Sequence, residues 1–186
     1  MKMFAAIDSC FIIDWASYGR SDILCEIFKR VFISTEILDE IKSKKTLDMI
    51  VDWIGKDYVA LIEVSDDDPD VIKLISEVGR TNGFPAIDHP EATALVLAKR
   101  AEINIILSEN KATISAVSLD DFKGMKVWTA FEVIREAILR GLLPVNNPED
   151  IKGYYMEYCR DTGHEFRKER WDDIMKILND SSNQEK

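Results

Sequence analysis

The sequence predicts an α/β domain of three layers: a mainly parallel central sheet, helices on both of its faces, and further helices at the C-terminus. Two observations carry this. Short apolar runs alternate with amphipathic stretches along most of the chain, the pattern of βαβ units whose strands pair in parallel and are covered on both faces. At 186 residues with an ordinary apolar fraction of 46 %, the chain suits one domain with an appended segment. Right-handed crossovers then follow.

The elements read in order. "MFAAI" (3–7) is a strand. "CFIIDWASYG" (10–19) and "SDILCEIFKR" (21–30) are helices broken near Gly19. "VFIS" (31–34) is the second strand, followed by the helical "TEILDEIKSK" (35–44) and "TLDMIVDWIGK" (46–56). "YVALIEV" (58–64) is a strand. "DPDVIKLISEVGR" (68–80) opens a helix on Asp68 as N-cap, with Pro69 at the first helical position. "TNGFPAID" (81–88) is a loop before the apolar-faced helix "PEATALVLAKRA" (90–101). "INIIL" (103–107) is a strand, "KATISAVS" (111–118) a short helix and "MKVW" (125–128) a strand. "TAFEVIREAILRG" (129–141) is a helix stopped by Gly141. Past the joint at Pro144 to Pro148, "IKGYYMEYC" (151–159) and "GHEFRKERWDDIMKIL" (163–178) read as two more helices, packed on the sheet or on a second subunit. The division is therefore residues 1–143 as the α/β domain and 144–186 as a C-terminal helical extension whose last residues, "NDSSNQEK", look frayed.

Bulk properties narrow the function. A net charge of −10 argues against a surface coated in positive charge for nucleic acid, yet a carboxylate-lined site contributes such charge itself. The three cysteines, Cys10, Cys25 and Cys159, have neither CxxC nor Cys/His spacing and read as reduced thiols of a cytoplasmic protein. No apolar run approaches the ~20 residues that span a bilayer. Asp8 interrupts any signal-peptide core.

Asp8 poses the chemical question, because an acid that ends a buried strand needs a partner or a metal. In open parallel sheets, ligands bind beyond the carboxyl ends of the strands. Asp8 and Glu109 end two strands there. Glu40 lies one to two turns into the helix after the second strand, and Asp88 and Glu91 open another helix on one face. Oxygen ligands of this kind suit Mg²⁺ or Mn²⁺, ions that activate water and neutralise charge on a phosphodiester. Each acid also has a structural reading. Asp88 to Glu91 is a D-x-x-E capping box, Glu40 a solvated helix face, Glu109 a loop acid, and Thr129 with Glu132 a T-x-x-E capping box.

Taken together, "IDSCFII", "VFISTEILDEI", "HPEATALVLAKRAEINIILSEN" and "GMKVWTAFEVIREAILRGLL" resemble the PIN domains over about residues 3 to 143. These are small metal-dependent ribonucleases that include the VapC-type toxins. The resemblance implies an endoribonuclease of a PIN-like fold whose acids fall on Asp8, Glu40, Glu91 and Glu109, holding Mg²⁺ or Mn²⁺. Ser9 supplies the hydroxyl after the first acid, and Asp88, Asn110, Lys111 and Thr129 are secondary residues at the same rim. It also implies RNA as substrate, products with 3′-hydroxyl and 5′-phosphate ends, a homodimer, and an antitoxin-like partner if the protein is a toxin. Two departures stand out. The fourth acid is Glu109 where Asp is more common, and residue 10 is Cys where Asn is common. They motivate the alternative, a catalytically impaired PIN fold acting as a binding or assembly module.

Other folds fit less well. A dehalogenase-type phosphatase needs Asp-x-Asp, but residue 10 is Cys. A receiver domain wants a Lys after its fifth strand, where Trp128 and Thr129 stand. Phosphate-binding glycine motifs and a Ser-His-Asp set are missing, and His89 and His164 lie far apart in the chain. Arg20, Lys42, Lys44 and Lys45 are candidates to flank the rim. "HEFRKERW" is a local cationic stretch whose Phe166 and Trp171 read more readily as packed inward than as an RNA-stacking surface.

Overall fold

A computed structural model describes residues 3–174. The tail "NDSSNQEK", expected to fray, and the end of the preceding stretch read as helical (175–178) lie outside the described residues. The chain runs β1 (Met3–Ile7), α1 (Ser9–Ser17), α2 (Ile23–Ile27), β2 (Phe28–Ser34), α3 (Thr35–Glu40), α4 (Lys44–Gly55), β3 (Val59–Ile62), α5 (Pro69–Arg80) and α6 (His89–Arg100). It continues through β4 (Ile105–Leu107), α7 (Lys111–Ala116), a 3-10 turn (Asp120–Phe122), β5 (Lys126–Trp128), α8 (Ala130–Leu139) and α9 (Pro148–Thr162). Residues 168–174 are helical again. Among the described residues, no helix is long and apolar enough to cross a membrane.

The five strands form one sheet in the order β3-β2-β1-β4-β5, and every pairing is parallel. Alternate residues of each strand feed two cores, because side chains along a strand point to opposite faces. Ala5, Ile7, Val31, Ile33, Ile105 and Leu107 face one core; Ala6 and Ile106 face the other, with Phe32 packed against it. The first core takes its covering residues from α1, α2, α3, α4, α8 and α9, with Ala94 of α6, and the second from α5, α6 and α7. The result is a three-layer α/β/α fold whose sheet is wholly parallel, not merely mainly so.

Two elements differ from the sequence reading. The stretch "SDILCEIFKR" is helical only over α2, and Phe28 already starts β2 by pairing with Met3. Sheet pairing overrides the helical pattern there, since Phe28 is wholly buried and Lys29 exposed in strand alternation. The stretch after "VFIS" is likewise short, because α3 closes at Glu40. The expected stop of α8 is present: Gly141, at φ 71°, takes the left-handed conformation that glycine adopts without a Cβ penalty.

The C-terminal residues share the first core. Helix α9 packs on α1 and α8. Trp15 of α1 stacks on Phe11 at 5.4 Å between ring centroids and meets Tyr158 of α9 at 5.8 Å. Phe131 of α8 stacks on Tyr155 at 5.1 Å, and Phe166 stacks on Tyr158 at 5.6 Å. Trp171 meets Phe166 edge-on at 6.2 Å, so the aromatic residues of "HEFRKERW" do turn inward. Aromatic burial of this extent ties the segment after α9 against the helices that carry the sheet's rim.

Helix α8 begins on a full capping box. The Phe131 N–H donates to Thr129 Oγ1 at 3.3 Å, and the Glu132 carboxylate accepts the Thr129 N–H at 2.8 Å. Thr129→Ala is expected to cost about 1 kcal/mol, lowering the melting temperature by roughly 2–4 °C in a thermal unfolding scan. A melting temperature unchanged from wild type would show that α8 is held by packing alone.

Candidate functional site

Strand order places the site. The chain leaves β1 for β2 on one side, while β4 pairs with β1 on the other. The crevice outside the carboxyl ends of β1 and β4 is therefore the switch point of the sheet, where such folds bind ligands. Asp8 follows β1 and Glu109 follows β4, so both stand at that crevice.

Asp8 divides its two oxygens between fold and vacancy of partners. It is 1 % exposed. Its Oδ1 caps α1, accepting the Phe11 N–H at 2.8 Å. Its Oδ2 is buried and, among the described residues, has no hydrogen-bond partner. Burial pushes its pKa up to about 7; the nearby Glu91 and Asp14 charges add to the rise, and the Ser108 hydroxyl and Phe11 N–H offset part of it. The Ser108 hydroxyl lies beside the carboxylate as a hydrogen-bond donor to it, though its geometry falls short of a well-formed bond to Oδ2. Ser9 follows at 5 % exposure, and Cys10 lies exposed beside it. Burial, reinforced by Asp8 and Glu91, pushes the Cys10 thiol up to about 11.

Glu91 reaches the same rim from the first turn of α6 and is 6 % exposed. Its Oε1 accepts the Asn110 side-chain N–H at 2.6 Å, while its Oε2 is buried without a partner. Burial raises its pKa, helped by the Asp88 and Glu40 charges. The D-x-x-E capping box expected here is not formed: Asp88 is the N-cap residue but makes no side-chain cap bond and is exposed. Asn110 has drawn the Glu91 carboxylate toward the β4 loop instead. Asn110 also caps α7, its Oδ1 accepting the Ala112 N–H at 2.7 Å, so one side chain joins two rim elements.

The other two acids flank this pair. Glu40 ends α3 and is exposed, within electrostatic reach of Glu91. Glu109 is turned toward α8, where its Oε1 accepts the Ala130 N–H at 2.6 Å. Burial pushes Glu109 up to about 7, with Glu132, Asp8 and Asp14 adding to it against the lowering by Ala130. Its Oε2 lies 3.7 Å from His164 Nε2, and His164 Nδ1 lies 3.9 Å from Asp14 Oδ2.

Asp14 and His164 are the rim residues that sequence reasoning missed. An acid inside the otherwise apolar "CFIIDWAS" was a usable signal for Asp14. Nothing in the sequence brings His164 to β4, because tertiary packing of the segment after α9 does so. Two of the flanking cations are engaged elsewhere. Arg20 pairs with Glu157 of α9 at 2.8 Å, and Lys45 donates to the Ser17 carbonyl at 3.4 Å. Lys42, Lys44 and Lys111 are exposed. His89 lies 3.8 Å from Asp66 on the surface.

The residues fit a hard divalent cation. Two orphaned, buried carboxylate oxygens from different elements, backed by further acids, form an all-oxygen donor set of the kind Mg²⁺ and Mn²⁺ take. Among the described residues, no group of three or more His, Cys, Asp or Glu side chains is arranged to hold a metal ion, so the fit is one of donor chemistry rather than of a preformed cluster. Glu109 accounts for part of this, since it is engaged by Ala130. A family model described as a PIN domain matches residues 4–149, well over half of the chain. No curated protein matches it.

Proposed function

The chain belongs to the PIN-domain family, and from that premise we propose that it is a metal-dependent endoribonuclease acting through Asp8, Glu91, Glu40 and Glu109. The single observation that carries the reading is the pair of partnerless buried oxygens, Asp8 Oδ2 and Glu91 Oε2, at the switch point of the sheet. Leaving two such carboxylates without protons or a cation is costly, and a divalent ion removes that cost. Bound there, Mg²⁺ or Mn²⁺ supplies Lewis-acid chemistry, activating water and neutralising charge on the phosphodiester.

The protein's own residues do the rest. Asp8 and Glu91 would hold the ion, Asn110 holds the Glu91 carboxylate in place, and the Phe11 N–H, with the Ser108 hydroxyl beside it, orients Asp8. Glu40 and Glu109 complete the set from the two sides, with Ser9, Asp88, Lys111 and Thr129 lining the rim for substrate. Homodimerisation, an antitoxin-like partner and a cytoplasmic setting belong to the same reading through the family.

A second reading has its own observation. Glu109 spends Oε1 on the Ala130 N–H, and its longer side chain leads toward His164. If that arrangement persists with metal present, the protein is a binding or assembly module with impaired chemistry. Incubating labelled single-stranded RNA with the full chain separates the two. The endonuclease reading predicts internal cuts leaving 5′-phosphate and 3′-hydroxyl ends, present with Mn²⁺ and absent with EDTA. Cutting that survives EDTA contradicts it, and Mn²⁺ binding without cutting selects the second reading.

A further inference from the structure

Next to Glu109 lies a pocket of about 150 Å³, walled by Thr129 and Ile114 on one side and by His164, Phe166, Arg167 and Arg170 on the other. It is several times the ~30 Å³ share of a water molecule, room enough for a phosphate group. The C-terminal wall comes from residues beyond the stretch that matches the family model. The two arginines and the histidine there differ in their commitments. Arg170 pairs with Glu132 at 2.7 Å and covers the Phe131 ring at 4.6 Å. His164 sits between Asp14 and Glu109. Arg167 is exposed, and among the described residues its guanidinium has neither a hydrogen-bond nor an ion-pair partner. Phe166, 8 % exposed and stacked on Tyr158, fixes the backbone just before it. Glu165 stands exposed at the same mouth.

We infer that this pocket is a phosphate subsite, in which Arg167 receives a backbone phosphate of the single-stranded nucleic acid adjacent to the one at Asp8 and Glu91. The inference rests on the nuclease reading for its substrate. A guanidinium free of protein acids, carried on a packed segment, meets phosphate oxygens with paired N–H donors. Glu109 is shared between the pocket and the crevice, so a strand seated on Arg167 runs past Glu109 toward Asp8. The subsite also gives so acidic a chain (net charge −10) a local cation for a polyanion without a basic face.

The test is binding without turnover: fluorescence anisotropy of a labelled single-stranded RNA with the full-length protein in EDTA, across a salt series. Arg167→Ala is expected to weaken binding about tenfold at low salt and to reduce the log–log salt slope by about 0.7, the loss of one phosphate contact on a single strand. Glu165→Gln is expected to tighten binding, and Arg80→Ala, exposed on α5 in the opposite layer, to leave it unchanged. Inorganic phosphate should compete against wild type and lose that effect on Arg167→Ala. DNA of the same sequence should show the same shift, since the contact reads phosphate alone; a shift confined to RNA contradicts the subsite. Wild-type affinity and slope in Arg167→Ala overturn it. If the Arg167 shift is found but Mn²⁺ never brings cleavage, the nuclease reading fails while the subsite stands.

Discussion

Asp8→Asn is expected to abolish both RNA cleavage and any stabilisation by Mn²⁺, and to leave the metal-free protein more stable than before. The three effects have one cause. Oδ1 is the cap of α1, and an amide oxygen keeps the 2.8 Å bond from the Phe11 N–H, so the fold survives. Oδ2 is the buried, partnerless atom, and the substitution takes away its charge. With the carboxyl pushed up to about 7 from an ordinary 3.8, holding it ionised in the folded protein costs on the order of 4 kcal/mol above neutral pH. The new amide hydrogens need acceptors of their own, so a gain of about 2 kcal/mol is expected at pH 8 in EDTA, or a rise of roughly 4–8 °C. Wild type in Mn²⁺ at about a hundred times its dissociation constant is expected to gain about 2.7 kcal/mol, which the variant would forgo. Loss of cleavage should reach about a thousandfold, the several kcal/mol that a metal's charge supplies to the reaction. Thermal scans with and without Mn²⁺, beside an RNA assay, read all three. A variant that cuts RNA at the wild-type rate contradicts the assignment.

The metal-free wild type is expected to lose stability as pH rises from 5 to 8. Asp8 and Glu109 keep their protons in the folded protein up to about pH 7, whereas in the unfolded chain they ionise near 3.8 and 4.5. Within that window the folded state binds more protons than the unfolded one, so stability falls with increasing pH. Below about pH 3 both groups are largely protonated in either state and the penalty is absent; well above pH 7 it is complete. Two pH units of window for each group amount to roughly 5 kcal/mol, or about 10 °C of melting temperature. Glu91, raised in the same direction, adds to the slope. Mn²⁺ should flatten the profile, because the cation offsets the charge that pH exposes. A melting temperature in EDTA that rises from pH 5 to 8 means these carboxyls are ionised at no cost, and the orphaned oxygens then have partners after all.

The sequence made some of this legible and hid the rest for physical reasons. Asp8 and Glu109 were readable because an acid closing a buried strand is conspicuous, and parallel topology sends strand ends to one rim. The Thr129 cap and the inward aromatics of "HEFRKERW" were readable because they depend on local spacing and apolarity. The failed capping box at Asp88 was not, since the Glu91 carboxylate is drawn off by Asn110, a residue nineteen positions away. The early start of β2 depends on pairing with β1, a long-range contact that outweighs the helical pattern of "SDILCEIFKR". His164 beside Glu109, and with it the Arg167 pocket, follows from how the segment after α9 packs on Tyr158.

The most direct measurement is a calorimetric titration of Mn²⁺ into metal-free wild type and Asp8→Asn at pH 8. The account predicts saturable binding to wild type, with heat that vanishes in the variant while its circular dichroism stays that of the folded protein. Equal binding to both proteins, or none to wild type, would contradict it: the acids at these strand ends would then be caps and surface, and Asp8 a residue of the fold alone.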